Sequence, residues 1–127
     1  MFATMSCNQP DGHQHGNKDQ PSVQLNEGKP WAANIETTEG IKAMQAILAS
    51  APDSPDEANC QKLKSDLQVE FGQIIQLCTM TGEAHNQLHN YLMPLGEEID
   101  QLDKASTCQA EVKAISHTLK EYNTYFN

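Results

Sequence analysis

Cys78, Met80, His85 and His89 fall within twelve residues of one another and bring a thiol, a thioether and two imidazoles to one short stretch. Thiolate, thioether and imidazole together form a ligand set for soft or borderline metals, copper(I) above all and zinc next. His85 and His89 are four apart, so on a helix they stand one turn above the other on a single face. That spacing is an ordinary way to present two nitrogens to one ion. Each residue also has a plainer role. Cys78 can close an apolar seam, Met80 can plug a bundle end, and the two histidines can be half-buried boundary residues beside Leu88 and Leu92. Two readings therefore stand side by side, a soft-metal site and a structural turn. Haem held through His and Met is a third, since helical bundles host it.

Catalytic signatures do not accompany this cluster. The chain has no haem-attachment CxxCH, no HExxH, no Gly-rich phosphate loop and no GxSxG elbow. Cys78 and His85 could pair as nucleophile and base, but nothing in the sequence supplies an oxyanion hole or cleft. The expected function is thus non-catalytic. His117 falls on the back of its helix and is expected in solvent, and His13 and His15 sit in a polar tail.

Four helical segments must position the cluster, predicting an all-α, up-down-up-down four-helix bundle over 34–127. The first runs from Asn34 to Ser50, with Ile41, Met44, Ile47, Leu48 and Ala51 at helical spacing. The second opens at Ser54-Pro55-Asp56-Glu57, read as a serine cap, a first-turn proline and a glutamate three residues on. Its seam is Cys60, Leu63, Leu67, Phe71, Ile74 and Cys78. The third follows Thr81-Gly82 with Leu88, Leu92, Leu95, Ile99 and Leu102, and Pro94 should kink it. The fourth begins at a second capping box, Ser106 to Gln109, and carries Cys108, Val112, Ile115, Leu119 and Tyr122. Short connections make neighbouring helices antiparallel. Cys60 and Cys108 then lie at the same end of two parallel helices, either as disulfide partners in an exported protein or as buried free thiols in a cytosolic one. Cys78 lies at the other end, beyond their reach, as a thiolate ligand. The start of the first helix should reach Cys78's end.

Residues 1–33 read differently. From residue 8 the stretch is rich in Gln, Asn, Gly, Pro and Asp, too poor in aliphatics to offset its ordering entropy, and is expected to be a disordered tether. Val23, Leu25 and Trp31 are exceptions that could lie against the bundle. Met1 to Cys7 is short and apolar or small, ends in Ser-Cys and turns polar at once. That pattern looks like the remnant of a lipoprotein signal, with Cys7 the lipid-bearing residue and a periplasmic or cell-surface location. The chain carries 17 acidic and 8 basic residues, a formal charge of −9, and every basic residue is lysine. Without arginine there is no bidentate fork for phosphate or guanine, so nucleic acid is not an expected partner. No stretch approaches a membrane span, leaving a lipid at Cys7 as the only expected membrane contact.

Two stretches carry a resemblance. Leu25-Asn26-Glu27-Gly28-Lys29-Pro30-Trp31-Ala32-Ala33-Asn34 and Cys78-Thr79-Met80-Thr81-Gly82-Glu83-Ala84-His85-Asn86-Gln87-Leu88-His89 resemble small secreted or lipoprotein-like helical proteins of bacteria. In those, a Leu-Asn…Gly-Lys-Trp…Asn entry precedes the helices and a Cys-Thr-Met…Gly…His…Leu-His turn joins two of them. Pro30 departs from that entry pattern. The resemblance implies an exported bundle in which Cys78, Met80, His85 and His89 form one unit, and it brings no activity with it.

Overall fold

A computed structural model describes residues 22–127. The helices are α1 (Ile35–Ala49), α2 (Glu57–Leu77), α3 (Gly82–Asp100), α4 (Ala105–Lys120) and a one-turn α5 (Tyr122–Tyr125) that continues α4. No described segment forms a strand beyond isolated bridges. The architecture is the expected four-helix bundle. α1 packs on α2 and α4, α3 packs on the same two, and α2 and α4 face each other across the diagonal with little contact. The apolar spacing read from the sequence faces inward: Ile41, Met44, Leu63, Leu67, Ile74, Leu88, Leu92, Leu95, Ile99, Leu102, Ile115 and Leu119 are all buried. Phe71 and Val112 are only partly covered, at the margin of that core. No described helix is long and apolar enough to cross a membrane.

Helix ends depart from the sequence reading in two places. α2 is capped by Asp56, not Ser54: the Asp56 carboxylate accepts from Asn59 N at 2.8 Å, and Asn59 Oδ1 accepts from Asp56 N at 3.1 Å. The reciprocal pair is a capping box shifted two residues downstream of the expected one. α4 starts at Ala105 with Lys104 at the cap position and no side-chain cap bond. Ser106 and Thr107 therefore lie inside the helix, and the second capping box does not form. Pro94 sits within α3, which runs on to Asp100.

Cys60 and Cys108 are disulfide-bonded, with Cα atoms 6.1 Å apart. Both are fully buried, so the bond ties the diagonal helices together at one end of the core. Gln109 Nε2 donates to the Asp53 carbonyl at 2.8 Å, closing the α1–α2 loop over the same end.

Of the segment expected as a tether, residues 1–21, and Cys7 with them, lie outside the described residues, while Val23 and Trp31 lie against the bundle as expected. Asn26 and Lys29 exchange backbone hydrogen bonds of 2.8 and 3.1 Å around a turn in which Gly28 takes φ +82°, a conformation that glycine adopts without strain. Trp31 and Ala33 then run alongside the C-terminus: Trp31 N donates to Tyr125 O, Asn127 N to Trp31 O and Ala33 N to Asn127 O, at 2.8–3.0 Å. Val23, Trp31 and Ala33 pack on the core. Phe126, buried at the centre of this clamp, stacks on Tyr122 with ring centroids 5.3 Å apart, and Tyr91 meets both rings.

Candidate functional site

α2 gives way at Cys78, whose backbone is extended, and α3 begins at Gly82 with φ +70°. A left-handed residue lets the chain reverse within four residues, and glycine takes that conformation at least cost. α1 begins at the same end, as expected. Asn34 Nδ2 donates to Glu36 Oε1 at 2.9 Å and to the Leu77 carbonyl at 3.4 Å, while Asn34 Oδ1 accepts from Thr37 Oγ1 at 2.9 Å. Asn34 stands at the cap position of α1 with no side-chain cap bond, and it instead ties the helix start to the Leu77 carbonyl at the end of α2. The Asn34 amide holds the Glu36 carboxyl below its ordinary value.

His85 and His89 share one face of α3, with ring centroids 4.8 Å apart and planes tilted by 32°. Both are half-buried. His85 Nδ1 lies 3.2 Å from the Met80 carbonyl. A carbonyl can only accept, so this contact requires the proton on Nδ1 and puts the lone pair of the neutral ring on Nε2. Met80 therefore belongs with His85, but through its backbone oxygen; its side chain is half-buried against the core.

Cys78 departs from the expectation. It is disulfide-bonded, not a thiolate, and a disulfide sulfur is not the anionic donor that a soft metal needs. Among the described residues no group of three or more His, Cys, Asp or Glu side chains stands ready to hold a metal. The turn brings the four sequence-predicted residues to one end of the bundle, where His85 and His89 are the two whose side chains meet. His117 is exposed, as expected, and pairs with Glu121 at 3.1 Å.

Gln24 and Gln87, which sequence reasoning passed over, shape this end together with Trp31. Gln87, buried on α3, accepts from Gln24 N and donates to Glu83 Oε2, each at 2.7 Å. Trp31 Nε1 donates to the Gln24 carbonyl at 2.7 Å. The entry segment is thereby fastened to α3 at a position between the two histidines in sequence. The Gln87 amide holds the Glu83 carboxyl below its ordinary value. Nothing in the residue types flagged Gln87; the only available signal was its place on the buried side of α3, beside Leu88. Further along α3, Glu98 is half-buried, and one of its oxygens has no hydrogen-bond partner among the described residues. Burial raises its carboxyl above the ordinary value, against a smaller opposing effect of the Thr118 hydrogen bond.

No known protein family, curated protein or solved structure matches this chain.

Proposed function

We propose that this chain is a non-catalytic, exported metal-binding bundle that takes a borderline ion at His85 and His89, for sequestration, sensing or delivery. The observation that carries the reading is the histidine pair itself: two rings 4.8 Å apart on one helix face, one of them oriented by the Met80 carbonyl 3.2 Å from Nδ1. A histidine ligand characteristically spends its second nitrogen on such a carbonyl, which fixes tautomer and ring orientation. With Cys78 in a disulfide, imidazole is the side-chain donor that remains. The favoured ion moves accordingly from copper(I) towards copper(II) or zinc. The buried Cys60–Cys108 bond supports an oxidising compartment, periplasm or cell surface, as the place of action.

Copper(II) and zinc would be titrated into the oxidised full-length chain against a chelator that buffers free metal below micromolar. One equivalent is expected to be retained, and His85→Ala or His89→Ala should each abolish retention without lowering the melting temperature by more than a few degrees. No retention by the parent chain ends the proposal. The rival reading, an interaction protein in which this turn merely closes the bundle, is favoured by the packing of Met80 on the core. It expects no metal and a marked loss of stability in the histidine variants. Haemin in the same assay, read by a Soret band, tests the carrier alternative.

A further inference from the structure

α2 and α3 enclose a cleft of about 450 Å³, separate from the histidine turn. Its α3 wall begins at Met93, one turn beyond His89. Phe71 of α2, with Met93 and Ile99 of α3, makes most of the lining apolar. We propose that this cleft binds an organic cation, an ammonium group carried on a compact aryl or alkyl body. The body would lie against Phe71 and the charge at Glu97 and Asp100.

Two glycines keep the cleft open. Gly72 and Gly96 line it from inside α2 and α3, where glycine weakens a helix relative to alanine. A side chain at Gly96 would begin 3.1 Å from Phe71 Cζ, so bare backbone is what lets the ring lie against α3. A side chain at Gly72 would meet nothing within 4 Å. The space it would fill is part of the cleft. Small-molecule sites commonly enclose about 300–1,000 Å³ and combine apolar walls with a few polar groups that orient the ligand. The α2–α3 cleft has that size and that make-up.

The polar groups set the sign of the ligand. Glu97 and Asp100 line the cleft from the last turn of α3. Acidic side chains there stand at the negative end of the helix macrodipole, and no basic residue in that turn offsets them. Gln68 Nε2 reaches across from α2 and donates to Asp100 Oδ1 at 3.1 Å. An amide brings no charge of its own, and the second carboxylate oxygen keeps its capacity to accept. The lysines on this stretch of α2 pair elsewhere, Lys62 with Asp66 at 2.9 Å and Lys64 with Asp103 at 3.7 Å. Among the described residues no basic side chain lines the cleft. A cation there relieves the repulsion between two carboxylates three residues apart and is attracted by the negative face of the Phe71 ring. An anion of the same shape would find no counter-charge. Helix glycines and an acidic helix end each break a local rule of helix building, and ligand sites are where such departures gather.

Benzyltrimethylammonium, an aryl body with a fixed positive charge, is titrated into the full-length chain while backbone amide shifts are followed by NMR. Saturable shifts are expected at Gly72 and Gly96, with binding at least about tenfold tighter than that of benzylsulfonate, an anion on the same body. Gly72→Leu fills the cleft from an exposed helix position and should abolish the shifts while melting no lower than the parent. Glu97→Gln/Asp100→Asn should bind benzyltrimethylammonium about tenfold more weakly and narrow its advantage over benzylsulfonate. No saturable shift at Gly72 and Gly96 in the parent overturns the proposal, as does equal binding of the two probes. Undiminished binding in Gly72→Leu overturns it too. So does a full preference for the cation in the Glu97→Gln/Asp100→Asn variant.

Discussion

Gly40 stands where α1 meets Ile74 of α2, and a methyl group there would lie 2.8 Å from the Ile74 Cδ1 carbon. Ile74 is itself buried, so making room means repacking its neighbours. The missing side chain of Gly40 is what lets the two helices meet at Ile74. Gly40→Ala gains about 1 kcal/mol of helix propensity but overpacks the contact by about 1–3 kcal/mol. A net loss is expected, measured as a lower urea midpoint. An unchanged or higher midpoint means that Ile74 can be displaced after all. Glu98 offers a test with the opposite sign. Its raised carboxyl pKa means that the folded state favours the protonated form. Its contribution to stability is present below the unfolded pKa and is lost as pH rises through the raised folded value. Glu98→Gln should therefore melt higher than the parent at about pH 7.5, with the advantage shrinking towards about pH 4. Parallel melting curves across that range contradict it.

At the level of elements, helix starts are the places where local signals compete. Ser54-Pro55-Asp56-Glu57 offers two candidate caps, and the one that wins is Asp56, whose carboxylate reaches the Asn59 amide while the Asn59 side chain reaches back. Asp56→Ala is expected to cost about 1 kcal/mol and Ser54→Ala close to nothing, by chemical denaturation. Equal effects would return the cap to Ser54. α4 shows the reverse situation: Lys104 occupies its cap position with no side-chain cap bond and a positive charge beside the helix N-terminus. Lys104→Asp supplies an acceptor and reverses the charge at the positive end of the macrodipole, so a gain of about 1 kcal/mol is expected. A destabilised variant would show that Lys104 has another role.

Across the whole molecule, the Cys60–Cys108 bond joins helices that touch little elsewhere and encloses a chain separation of 48 residues. In the chain-entropy description such a cross-link is worth about 4 kcal/mol. Cys60→Ala/Cys108→Ala is expected to lose about that much, read by denaturant unfolding of both oxidised proteins, and a loss below about 1 kcal/mol would make the bond incidental. The second whole-molecule device is the clamp between residues 31–33 and the C-terminus. Phe126 bridges Trp31 through the backbone there, and its ring packs against Tyr122 and Tyr91. Phe126→Ala should cost about 3–5 kcal/mol and release the entry segment, measured as faster amide exchange at Trp31 and Ala33.

The sequence by itself determined the helices, their order and the faces they bury, because apolar spacing of three and four residues is a local property and each seam carries it. It also placed Cys60 with Cys108 and His85 with His89, since antiparallel topology and helical pitch need no tertiary coordinates. Tertiary structure decided the rest. Asp56 over Ser54, the close approach at Gly40 and the burial of Gln87 depend on what lies opposite each residue, which residue types do not state. Trp31 and Phe126 are 95 residues apart and meet only when the bundle brings both chain ends together. The turn that began as four metal donors became two histidines, a backbone carbonyl and a disulfide sulfur. Oxidation state and hydrogen-bond direction are set by neighbours in space, so that narrowing was not legible in the order of the residues.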